Sequence, residues 1–159
     1  MEHFIGVDIG GTKMVLCAQK EGGGYLETFL PTGKEFSAEQ IKSHLQEFLQ
    51  SLPFPVHGVG MAIPGLAGMT AEFLSDGAFP IQFLNDLRCA ALAEAANYPD
   101  DYLIAVVLAG SGTALGIADR GRLLTGRGFS GELGYTCMAA QDGHVFRADD
   151  MSGGNALLR

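Results

Sequence analysis

Asp8-Ile9-Gly10-Gly11-Thr12-Lys13 puts a carboxylate, paired glycines, a hydroxyl and an ammonium on one tight turn between two apolar runs. The run before it, Phe4-Ile5-Gly6-Val7, and the run after it, Met14-Val15-Leu16-Cys17-Ala18, both read as buried strands bounded by glycine. The turn therefore closes a hairpin. Without a Cβ at Gly10 and Gly11, backbone N–H groups can approach phosphate oxygens, and Thr12 and Lys13 add a hydroxyl and a positive charge. Asp8, at the end of the first strand, is placed to hold a magnesium ion through its water shell. In a Walker loop the Lys closes a longer glycine loop and opens a helix, whereas Lys13 leads into a strand. A dinucleotide fold also needs a helix after its glycines. The same residues equally compose an ordinary glycine turn with a surface lysine.

Outward from this turn, Glu21-Gly22-Gly23-Gly24 makes another, and residues 25–30 form a third strand before Pro31, which completes a meander. Ser37 with Gln40 is a capping signature, and Ile41, Leu45, Phe48, Leu49 and Leu52 fall on one helical face. Residues 56–63 read as a buried strand that stops at Pro64-Gly65, and residues 66–79 carry no clear period. Residues 81–84 form a strand running into Asn85-Asp86, and a helix follows over 87–97. Residues 102–108 are the strongest strand, with 114–118 as its hairpin partner across Gly110-Ser111-Gly112. This order predicts an α/β layer architecture, a mixed sheet flanked by helices. No linker divides it, so 1–159 is expected to be one lobe.

The chain has 159 residues, 47% of them apolar, enough for a well-cored domain. Its net charge of -8, with ten scattered Lys and Arg, leaves no electrostatic footprint for nucleic acid. No apolar run reaches membrane-spanning length and no signal pattern opens the chain, which points to a cytoplasmic protein and no membrane partner. Cys17, Cys89 and Cys137 are odd in number and far apart, so reduced thiols are expected, with Cys17 and Cys89 in the core. His3, His44 and His57 show no partners and read as surface or strand residues.

Three further places can carry chemistry. Asn85-Asp86 lies at a strand-to-helix corner, where the helix N-terminus favours an ionised Asp86 able to accept a proton from a hydroxyl; the alternative is a plain helix cap. Gly110-Ser111-Gly112-Thr113 can close over phosphates opposite Gly10-Gly11, or be a hairpin turn with no ligand. Glu132, in a glycine-rich run from Gly126 to Tyr135, can grip paired hydroxyls or be a solvated loop residue.

In order along the chain, these segments resemble the ROK family of sugar kinases. The first turn is similar to the family's first phosphate motif, and Ile63-Pro64-Gly65 to its next landmark. Asn85-Asp86 with Ala90-Ala91-Leu92-Ala93-Glu94 resembles its catalytic Asn-Asp and following helix. Residues 110–116 resemble its second phosphate loop, and Gly131-Glu132-Leu133-Gly134 its sugar-binding motif. Ser152-Gly153 with Ala156-Leu157-Leu158-Arg159 resembles the helix after its zinc motif. The resemblance implies an actin-like ATPase (ribonuclease H-like) lobe that phosphorylates a hexose or N-acetylhexosamine with ATP and Mg2+. In that scheme Asp86 is the base and Asp8 positions magnesium. Gly10, Gly11, Thr12, Lys13, Gly110, Ser111 and Gly112 hold phosphates, while Asn85, Asp86, Glu132 and Tyr135 meet the sugar.

The likeness covers only the first half of a typical member, so the adenine pocket of a C-terminal lobe lies outside it. Either a missing lobe or a homo-oligomer is implied as partner, and the alternative is a non-catalytic sugar-binding or regulatory lobe. Four departures are visible. Ala114 replaces a usual glycine, the stretch between Pro64 and Asn85 is short, Tyr135 stands where the family has a His, and the Cys-rich zinc motif is absent. Cys137 and His144 alone cannot supply four tetrahedral ligands, so zinc is not expected. The family's glutamate from that segment falls near Ala148, leaving Asp149 or Asp150 as its substitute.

Overall fold

The alternation that marks the first strands in sequence is the alternation of their burial. In β1 (Phe4–Ile9) Ile5, Val7 and Ile9 point inward, and in β2 (Lys13–Gln19) Met14, Leu16 and Ala18 do so. The computed structural model describes residues 2–33, 35–63, 77–110 and 112–152. The chain forms two compact units, Met1–Asp86 and Leu87–Arg159. Their boundary falls at the start of a helix rather than in a Gly- or Ser-rich segment, so composition carries no mark of it.

In the first unit, β3 (Tyr25–Pro31), β2 and β1 pair antiparallel, and β4 (Gly58–Ile63) and β5 (Ile81–Asn85) add in parallel, giving the order β3-β2-β1-β4-β5. This is the expected mixed sheet. Helix α1 (Ala38–Ser51) opens with a capping box in which Ser37 and Gln40 each satisfy the other's backbone N–H. It buries Ile41, Leu45 and Phe48 in one core with the inward residues of β1, β2 and β4, each such side chain contributing roughly 1.5–3 kcal/mol. Cys17 corrects one expectation: it lies on the opposite, half-buried face of β2, because strand alternation gives the core to Leu16 and Ala18. Burial, and then the nearby Glu27, push its thiol pKa up.

His3 is likewise no simple strand residue. It is buried, stacks on Phe54 at 4.0 Å between centroids, and reaches Glu21 with Nε2 at 3.6 Å. Its backbone N–H donates to His57 Nδ1, 3.2 Å away, and His44 lies 3.5 Å from Glu47.

In the second unit, α2 (Asp86–Ala95), whose first residue closes the first unit, is followed by β6 (Leu103–Ala109), β7 (Thr113–Asp119) and the short β8 (Arg122–Leu123). These three strands form an antiparallel sheet of their own, β6-β7-β8. Its small core joins Ala91 and Ala95 of α2 to Ala118, with Ile104, Val106 and Leu123 against them. Cys89 is half-buried rather than in this core. Gly116 allows the close approach, since a Cβ there would fall on the Leu87 carbonyl. Single-turn helices at Gly126–Gly128 and Leu133–Tyr135 lead to the hairpin β9 (Cys137–Ala139) and β10 (Val145–Arg147), then the short α3 (Ala148–Ser152).

Candidate functional site

The first glycine turn is closed from within. Gly10 N–H donates to Lys13 O at 2.8 Å, Thr32 Oγ1 donates to Gly10 O at 2.7 Å, and Thr32 N–H to Thr12 O at 3.0 Å. Gly10's amide is thus spent on the hairpin. Among the described residues the N–H groups of Gly11 and Thr12 take no such bond, and Gly11, Thr12 and Lys13 are exposed. The turn presents two amides, a hydroxyl and an ammonium to solvent, a donor set suited to an anion.

Asp8 sits beside it near the carboxyl end of β1, paired with Ala62 of β4, while Ala62 pairs with Leu84 of β5. Asn85 is the last residue of β5 and Asp86 the first of α2. The parallel strands β1, β4 and β5 therefore deliver Asp8 and the Asn85-Asp86 pair to the same carboxyl edge, the edge at which open α/β sheets bind ligands. Partial loss of water, then the Asp86 carboxylate, raise the pKa of Asp8, and Lys13 pulls it back. Asp86 is an acidic residue in the first turn of its helix.

The remaining candidates belong to the second unit. Gly110 N–H donates to Gly112 O at 2.8 Å and closes the β6–β7 turn; Ser111 lies outside the described residues, as do Pro64, Gly65 and 153–159. Thr113 N–H donates to Asp149 Oδ1 at 2.7 Å, and the Thr113 and Ser152 hydroxyls lie 2.8 Å apart. Glu132 is exposed at the start of the turn Leu133–Tyr135. Leu115 N–H donates to Gly131 O at 2.9 Å, and Gly131 has φ +89 with no room for a Cβ beside the Leu115 carbonyl, which holds this loop against β7.

Two side chains that sequence did not assign, Arg147 and Arg88, shape this region. The Arg147 guanidinium carbon lies 4.4 Å from the Tyr135 ring centroid, so one face of that ring is covered. Arg147 also pairs with Asp149 at 3.6 Å. Arg88 donates to Gly128 O at 2.6 Å and braces the glycine loop. Arg147 stands at the end of β10 and the partner of Arg88 lies in a loop forty residues away, contacts that no local period announces. Among the described residues no three His, Cys, Asp or Glu side chains converge as a metal site, and no helix is long and apolar enough to cross a membrane.

The sequence model of the ROK family matches residues 67–150. A kanosamine kinase from Amycolatopsis mediterranei (strain S699) is 30% identical over 70 residues, 42% of this chain and 23% of that protein. Among solved structures, a ROK family protein from Streptococcus pneumoniae TIGR4 in complex with sucrose superposes with a TM-score of 0.71 at 26% identity, over 87% of this chain and 53% of that one. A ROK hexokinase from Thermus thermophilus superposes with a TM-score of 0.75 at 24% identity, over 98% of this chain and 61% of that one. In each case the chain spans less than two thirds of its relative's length.

Proposed function

This chain belongs to the ROK family, with the family's actin-like ATPase fold, and from that premise we propose that residues 1–159 are the N-terminal lobe of an ATP-dependent sugar kinase. The lobe takes a hexose or N-acetylhexosamine and transfers the γ-phosphoryl group to one of its hydroxyls. The observation that carries this reading is the convergence of Asp8 and Asp86 at one sheet edge beside a glycine turn with unspent amides.

In the proposed mechanism Asp86 accepts the proton of the sugar hydroxyl as its oxygen forms the new bond to the γ-phosphorus. The bond from that phosphorus to the β-γ bridging oxygen breaks, and ADP leaves. Asn85 and Glu132 hold sugar hydroxyls. The amides of Gly11 and Thr12 and the Lys13 ammonium stabilise the charge on the transferring phosphoryl, with Gly110, Ser111 and Gly112 contributing from the second turn. The carboxylates of Asp8 and Asp86 repel each other, and a divalent cation, when bound, would relieve that repulsion. Mg2+ held through Asp8 and its water shell would draw charge from the phosphates. A second lobe, lying outside these 159 residues or supplied by another copy, completes the adenine cradle. A cytoplasmic location accords with this substrate chemistry.

Asp86→Asn tests the assignment. Sugar-dependent ADP release is expected to fall by about 10²–10⁴-fold, the range of a lost general base, while calorimetry still detects sugar binding. Equal turnover in both proteins refutes Asp86 as the base. One observation favours a second reading, a non-catalytic sugar-binding or regulatory lobe: Arg147 covers a face of Tyr135, the residue standing where the family has a sugar-contacting His. Sugar binding with no Asp86-dependent turnover selects that reading.

A further inference from the structure

The Asp149 carboxylate sits where three segments of the second unit meet. Its Oδ1 accepts from Thr113 N–H at 2.7 Å, at the end of the 110–113 turn. Its Oδ2 lies 3.6 Å from Arg147, whose guanidinium covers Tyr135. Two glycines border it. A Cβ on Gly112 would stand 3.1 Å from Oδ1, and a Cβ on Gly134 would fall inside the carboxylate itself. Gly134 is not among the residues with positive φ, so its backbone tolerates alanine and the obstacle is the Asp149 side chain. Ser152, from the same short helix, adds a hydroxyl contact to Thr113. An anion is therefore already seated on the second turn, supplied by the chain.

We propose that Asp149 is a positioning residue that ties the 110–113 turn to the 132–135 segment, so that ordering of one orders the other. Naming those segments phosphate turn and sugar segment rests on the kinase reading above; the tie itself does not. The carboxylate takes the Thr113 amide out of phosphate binding and holds the end of the turn, standing directly beside Gly112. Through Arg147 the same carboxylate sets the plane of the Tyr135 ring. Asp149 therefore does not stand in for the family's glutamate by reaching sugar.

The test is peptide-resolved amide hydrogen exchange on the unliganded 159-residue chain and its D149A, D149N and G134A variants. Loss of one charge-assisted hydrogen bond predicts roughly tenfold or faster exchange, and D149A is expected to show it in 110–116 and in 131–136 together, with residues 4–19 unchanged. D149N keeps an acceptor for Thr113 N–H and loses the charge facing Arg147, so it is expected to restore protection in 110–116 more than in 131–136. G134A is expected to reproduce D149A, and its added effect is expected to vanish in D149A/G134A, where no carboxylate remains to be displaced. Unchanged exchange in D149A, change in one segment only, or full additivity of the two substitutions overturns the proposal. If the chain turns over sugar, D149A is expected to raise the KM for Mg-ATP several-fold more than it lowers kcat, and D149N to recover most of that; unaltered kinetics beside altered exchange also overturns it. A wild-type chain that binds no sugar sinks the kinase reading alone, because the exchange comparison needs no ligand.

Discussion

Asp8 shows how a single group can work against the fold it serves. Its pKa is raised by loss of water first and by Asp86 second, with Lys13 opposing. The folded chain therefore holds the Asp8 proton more tightly than the unfolded chain does. Its stabilising share is complete below the ordinary value of 3.8 and is lost as pH rises through the raised folded value. Asp8→Asn is thus expected to melt higher than wild type at pH 7 and to lose that advantage towards pH 3, checked by thermal melts across pH, while sugar phosphorylation is lost. A variant that melts lower than wild type at pH 7 contradicts this account. The motif around Asp8 was legible because its residue types name their chemistry and stand within six positions of one another. Asp149 was named only through the resemblance, and its tie to Thr113 and Arg147 was not legible, because an Asp reaching an amide 36 residues away has no signature short of the fold that brings them together.

At the scale of elements, period and caps carried the reading wherever a segment was long enough to show them. The capping box at Ser37 is the clearest case, and Ser37→Ala is expected to cost about 1 kcal/mol, read as a lower midpoint in urea. The five strands of the first sheet were legible from their apolar runs and glycine turns, but not their order in the sheet. The hairpin β6–β7 was equally legible, but not that it heads a sheet of its own. Strands β9 and β10 were missed, since three residues each cannot display a period. Their hairpin turns at Gly143, with φ +83, and Ala140 N–H donates to His144 O at 2.9 Å. It occupies the segment where the resemblance led one to look for zinc ligands. Close packing is a second kind of hidden information. Gly116 reads as one more strand glycine, yet a Cβ there strikes the Leu87 carbonyl of α2. Gly116→Ala is expected to destabilise by about 1–3 kcal/mol or more, measured by equilibrium unfolding, whereas alanine at Gly60, with open space around it, is expected to change little.

For the whole molecule, the two units divide the candidate residues: Asp8, Gly10, Gly11, Thr12, Lys13, Asn85 and Asp86 belong to the first, and Gly110, Gly112, Glu132 and Tyr135 to the second. The sheet edge bearing Asp8 and Asp86 is built entirely within the first unit. The adenine cradle is proposed to lie outside these residues, so sugar is expected to raise the melting temperature of the chain more than Mg-ATP does. Ligand stabilisation follows the ratio of concentration to Kd, which makes the comparison direct in parallel melts at matched concentrations. A larger shift with Mg-ATP would mean that the nucleotide cradle is already complete. The charge of -8 and the scattered basic residues fit a small polar substrate better than a nucleic acid. The claim on which the rest depends is that this sheet edge activates a sugar hydroxyl through Asp86. The most direct measurement is ADP release by the 159-residue chain and its Asp86→Asn variant with Mg-ATP, with and without glucose or N-acetylmannosamine. The account predicts release that requires sugar and falls by about 10²–10⁴-fold in the variant; release that ignores either the sugar or the substitution would contradict it.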